Sequence, residues 1–122
     1  QTLTVYAPVE ETGETNERGL TILADGGSFQ TLITGDMEAA GEENLLHIAD
    51  LPQTEVLVAG HHGSATSTTQ ALLDAVQPEY ALISVGEGNL YGHPAQETLE
   101  RLEAAGAEVY RTDWNGTIEI RK

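Results

Sequence analysis

Apolar β-type runs alternate with helix-forming segments along most of this chain, and that alternation constrains its fold more than any other feature. Helix formers run from Met37 to about Ile48. The buried-type run EVLVAG (55–60) follows, then the helical STTQALLDAVQP (67–78) and the buried-type YALISVG (80–86). A last helix spans about Ala95 to Ala105. Strands and helices in this order predict two βαβ-like units and an α/β fold. An N-terminal set of strands precedes them: Thr2–Ala7, then two β-rich runs around Asp25-Gly26-Gly27. That turn sequence predicts a hairpin, because a tight hairpin turn needs positive φ. The breaker-rich stretch Pro8–Arg18 reads as a loop. Ser67 reads as a helix cap with Gln70 as its capping-box partner. Pro94 suits the first turn of the last helix, and Gly106 its stop. Asn115-Gly116 predicts a second hairpin, between AEVYRT and TIEIRK. No repeat, low-complexity tract or linker interrupts the 122 residues, which suffice for one core.

Charge narrows the partners. Twenty acidic residues face five basic ones, for a net charge of −15. Such a surface repels nucleic acid and anionic membranes unless something local reverses the field. Glu97, Glu100 and Glu103 recur at helical spacing and read as a solvated face. Cysteine is absent, which excludes disulfides and thiolate metal sites. Any metal must be held by histidine and carboxylate. No apolar run approaches the roughly 18 residues needed to span a bilayer. The start, QTLTVYAPVE, has no basic segment and does not read as a signal peptide.

Three polar groups stand at the ends of apolar strands: Asp36 after QTLITG, His61-His62 after VLVAG, and His93 in the loop after ALISVG. Strand ends feeding loops are where α/β proteins bind ligands. Imidazole nitrogen and carboxylate oxygen together suit zinc, manganese or iron. Each residue also has a plainer role. Asp36 could cap the following helix, and alone it reads so more readily than as a ligand. His93 could be an ordinary loop residue, and His47 belongs on a helix surface. The histidine pair resists such a reading, because two unpartnered imidazoles are costly to bury. Neighbouring residues leaving a strand point to opposite sides, so one of the two would face the site. Gly63 permits a sharp turn. Ser64, Thr66 and Ser67 could donate to phosphate oxygens or cap the next helix.

The segments LITGDMEAAGEENLL, VLVAGHHGSATSTTQALLDAVQPEYALISVGEGNLYGHP and VYRTDWNGTIEI resemble the metallo-β-lactamase-like domain of ComEC-type competence proteins, large membrane proteins of bacterial DNA uptake. The likeness runs from about Asn16 to Ile120. It implies an αββα sandwich of two mixed sheets with outer helices and a two-metal site along one edge, of which this chain resembles the C-terminal half. By the resemblance, Asp36 matches the aspartate that bridges two divalent ions, zinc or manganese. The pair His61-His62 contains a further metal ligand, with His62 favoured. His93 matches the histidine of the YGHP loop and would assist substrate or leaving group. Asn89 of the same loop and Ser64 would contact substrate. The HxHxDH motif that supplies most ligands in the superfamily is absent from these 122 residues.

The resemblance implies an intact domain that hydrolyses a phosphodiester of DNA. Its expected partners are the missing N-terminal half, the membrane channel portion of the same protein, DNA, and further copies of the chain itself. The domain would be a soluble part of an inner-membrane protein. The isolated chain is expected to bind metal weakly or not at all and to be inactive. Two alternatives remain: a metal-free interaction or regulatory module of the same fold, and a metallo-hydrolase of small phosphoesters or lactones.

Overall fold

The turn at Asp25-Gly26-Gly27 forms the hairpin that its residues predict. It joins β2 (Thr21–Asp25) to its antiparallel neighbour β3 (Gln30–Ile33). Gly27 takes φ +86, and its N–H donates to Asp25 Oδ1 at 2.9 Å. The computed structural model describes residues 1–6, 20–86, 88–89 and 92–121. The predicted loop Pro8–Arg18 lies outside them.

Six strands form one mixed sheet in the order β1-β2-β3-β4-β5-β6. β1 (Thr2–Tyr6) is antiparallel to β2. β3, β4 (Val56–Val58), β5 (Tyr80–Ile83) and β6 (Glu108–Arg111) are mutually parallel. The crossovers between them are α1 (Ala39–Ile48), α2 (Gln70–Val76) and α3 (Gln96–Ala104). The chain thus has three βαβ units, one more than the sequence indicates, because β6 pairs alongside β5.

The register places Leu23, Leu32, Leu57 and Ala81 side by side on one face. Leu72, Leu73 and Val76 of α2 and Leu102 of α3 pack there into a single cluster, with Leu46 of α1 against it. The opposite face carries Leu3, Val5, Ile22, Ile33, Val58 and Leu82 by the same register. None of these joins the core, and Leu3 and Val5 are exposed by 71% and 54%. Val56 is buried on that face. One side of the sheet is therefore a core, and the other is apolar, with no helix packed on it among the described residues.

Four local expectations are corrected. Ser67 does not cap α2: its hydroxyl donates to Met37 O at 2.7 Å, and Thr69 caps the helix by accepting from Leu72 N–H. Asp36 does not cap α1, whose N-cap is Glu38 without a side-chain bond. The N–H of Ala39 donates instead to Thr66 O across the sheet end. Asn115-Gly116 makes no hairpin: Thr112–Asn115 is one helical turn, α4, and no strand follows it among the described residues. Asn115 Oδ1 accepts the Arg111 N–H and Asp113 binds the Arg111 guanidinium, so side chains close a helical turn where a β-turn was expected. Pro94 stands one residue before the α3 N-cap, Ala95, rather than in the first turn. Gly106 follows the α3 C-cap with φ +84, as the sequence predicts.

Candidate active site at the parallel strand ends

β3, β4 and β5 are adjacent and parallel, so their C-terminal ends open on one side of the molecule. Asp36 follows β3, His61 and His62 follow β4, and His93 precedes α3 in the loop after β5. Asp36 is exposed. His47, on the surface of α1, takes no part.

The histidine pair lies in a 3-10 turn, Gly60–Gly63. His61 and His62 have φ +49 and +54, and Gly63 has φ +81. A side chain in this left-handed region costs roughly 1–2 kcal/mol, so two in succession must be imposed by their surroundings. The surroundings are visible. His61 N–H donates to Gly35 O at 2.7 Å, and Ala95 N–H donates to Gly63 O at 2.9 Å. A Cβ on Gly63 would stand 2.6 Å from Pro94 Cβ.

The left-handed turn sends the two rings to different loops. The alternation expected of an extended strand does not apply here. His62 Nδ1 lies 2.6 Å from Ser84 O, just past β5. A carbonyl can only accept, so Nδ1 carries a proton, which in the neutral ring leaves the lone pair on Nε2. Backing of this kind fixes the tautomer and raises the basicity of a metal-binding or proton-accepting imidazole. His61 Nδ1 lies 3.2 Å from Glu38 Oε1, close enough for an ion pair when the ring is protonated but not aligned as a hydrogen bond.

The His93 ring centre is 5.6 Å from that of His61. Partial burial, and after it the neighbouring His61 and His62 rings, hold His93 below the ordinary imidazole range. Asn89 brackets His93 along the backbone, donating to His93 O at 2.7 Å and accepting its N–H at 3.1 Å. Its side chain thereby shapes the loop. A hollow of about 180 Å³ is lined by His62, Val85, Gly86, Asn89 and His93. Ser64 is only 7% exposed, and its Oγ pairs with Thr66 Oγ1 at 3.0 Å.

Two residues that the sequence did not single out hold the loop after the pair. Glu42 of α1 is fully buried and accepts from Thr69 N–H and Thr69 Oγ1, both at 2.8 Å, and from Thr68 N–H. Arg101 of α3 donates from Nε to Thr68 O and from Nη2 to Ser67 O, each at 3.0 Å. Glu42 hides in the sequence because acidic residues are so numerous, whereas Arg101, one of five basic residues, was the available signal.

The donors present are of the type that zinc and manganese accept. Among the described residues, no group of three or more histidine, aspartate or glutamate side chains is gathered closely enough to hold an ion. The open Nε2 of His62 and the unaligned Nδ1 of His61 therefore fit part of a coordination shell rather than a whole one.

No protein-family model matches the chain. It is 38% identical over 106 residues, 87% of its length, to ComE operon protein 3 of Bacillus subtilis. It is 40% identical over 102 residues (83% of its length) to competence protein ComA of Neisseria gonorrhoeae, and 37% over 105 residues (86%) to Recombination protein 2 of Haemophilus influenzae. The chain spans 14%, 14% and 13% of these three relatives respectively.

Proposed function

We propose that this chain is the C-terminal part of a metal-dependent hydrolase domain of the metallo-β-lactamase-like αββα type, carried by a bacterial DNA-uptake protein and acting on the phosphodiester of DNA. One observation carries the chemical half of the reading: Ser84 O fixes the His62 tautomer, leaving Nε2 open at the strand ends where Asp36 and His93 also stand. Similarity to a relative named as a competence protein supports the biological half. The apolar sheet face without helices supports a second sheet packed upon it, as in an αββα sandwich.

In this reading His62 Nε2 and Asp36 belong to the ligand set, with His61 beside them. The remaining ligands come from outside the chain. A pair of divalent ions, zinc or manganese, would activate water at neutral pH and offset the charge developing on the phosphoryl oxygens. His93, whose partly buried setting disfavours the charged ring, takes part in proton transfer at the scissile phosphate or the leaving group. Asn89 keeps the His93 loop in place. Ser64 closes the turn that presents His62, its N–H donating to His61 O at 3.0 Å. The domain would be a soluble part of a membrane protein whose channel portion lies elsewhere in the sequence.

The test is hydrolysis of single-stranded DNA by the full-length protein with manganese or zinc. The expected result is metal-dependent cleavage that falls at least a hundredfold in Asp36→Asn. Cleavage absent under all metals would favour a module without catalysis. Turnover restricted to small phosphoesters or lactones would favour the other hydrolase class.

A further inference from the structure

We propose that Trp114 is a stacking platform for a base of the single DNA strand that enters the candidate site, an inference that rests on the function proposed above. Trp114 is the one exposed tryptophan, tyrosine or phenylalanine among the described residues, with 75% of its surface accessible. It is also braced on one ring face. The Arg111 guanidinium carbon lies 3.6 Å from the centre of its ring. Asp113 holds that guanidinium through two hydrogen bonds, at 3.0 and 2.7 Å. Asn115 Oδ1 accepts the Arg111 N–H at 2.8 Å, and Gly116 N–H closes the turn on Thr112 O at 3.1 Å. The guanidinium occupies one ring face, and the exposure of the side chain leaves the other to solvent.

The mount adjoins the candidate site. β6 runs parallel to β5 with Arg111 beside Ile83, so α4 starts at the same sheet end as Ser84. Thr112 Oγ1 accepts from Val85 N–H at 2.8 Å and donates to Val85 O at 2.9 Å. Val85 lines the hollow with His62 and His93. The tryptophan therefore belongs to the turn that follows β6, beside the strand whose end carries the carbonyl that orients His62.

Charge selects what this ring can grip. With twenty acidic residues against five basic ones, the chain has little to offer a phosphate backbone. Arg111 is already matched by Asp113, with side chains only 13% and 9% exposed. A base, by contrast, is gripped through its uncharged π-face, and a cation behind the ring adds to the platform.

The experiment measures binding of the full-length protein to a labelled single-stranded oligonucleotide and to an abasic strand of equal length. Trp114→Ala should weaken binding of the normal strand about tenfold, the loss of one stacked base, and leave the abasic strand unaffected. Trp114→Phe should recover most of the loss. Unchanged affinity of Trp114→Ala for the normal strand would overturn the proposal, as would equal weakening for both strands. A wild-type protein that binds neither strand would instead overturn the DNA reading on which the proposal rests.

Discussion

Glu42 of α1 and Thr69 at the N-cap of α2 are joined by two hydrogen bonds of 2.8 Å, from the Thr69 amide and from its hydroxyl, both to Glu42 Oε1. The same hydroxyl accepts the Leu72 N–H that starts the helix. A buried carboxylate from one crossover thus sets where the next crossover begins, and with it the course of the loop leaving His61 and His62.

Glu42→Gln replaces an all-acceptor group with one that presents a donor to the donors at Thr68 and Thr69. The expected cost is about 2–4 kcal/mol, read from denaturant unfolding at pH 7. Burial, the largest influence, pushes the Glu42 carboxyl above its ordinary 4.5, against the opposing hydrogen bonds from Thr69 and Thr68. The folded protein therefore takes up this proton more readily than the unfolded chain. The stability so gained is complete below the unfolded value and lost as pH rises through the folded one. Lowering the pH from 7 toward 4.5 should widen the stability gap between wild type and Glu42→Gln. A gap that narrows would contradict the burial argument.

Gly63→Ala should destabilise by roughly 2–4 kcal/mol, because the new methyl meets Pro94 Cβ at 2.6 Å in a backbone of φ +81. The clash displaces the loop carrying His93, so activity of the intact protein should fall further than stability alone explains. Thermal unfolding and turnover, measured on the same preparation, separate the two effects.

The apolar sheet face, on which no helix packs among the described residues, leads to a prediction about the isolated 122 residues. Exposed apolar side chains on an edge strand seek a partner, so the chain should self-associate. Leu3→Lys and Val5→Lys together should shift sedimentation equilibrium toward monomer. A wild-type chain that stays monomeric at high protein concentration would show that this face needs no cover.

The βαβ alternation through β5 and the placement of Asp36, the histidine pair and His93 at strand ends were legible in the sequence, since apolar runs and breakers are local signals, whereas the parallel pairing of β6 was not. So was the hairpin at Asp25-Gly26-Gly27, where turn chemistry sits in three residues. Helix starts were not. Ser67 looks like a better cap than Thr69 until Met37 O takes its hydroxyl and Glu42 takes the Thr69 group. The Asn115-Gly116 turn misleads for a similar reason, because Asp113 and Asn115 bond back to Arg111. The orientation of the histidine pair was illegible because two successive left-handed residues are an arrangement that no local propensity favours. They are held there by Gly35 and by the loop at Pro94, contacts distant in sequence.

The most direct measurement is the metal content of the full-length protein, wild type against His62→Ala and His61→Ala, after loading with manganese or zinc and dialysis. His62 is backed by Ser84 O at 2.6 Å with Nε2 left open, whereas the contact of His61 Nδ1 with Glu38 is not aligned as a hydrogen bond. A fixed, basic imidazole is the stronger ligand. The account predicts that His62→Ala loses bound metal and that His61→Ala retains the larger share. Full metal content in His62→Ala, or a greater loss in His61→Ala, would contradict it.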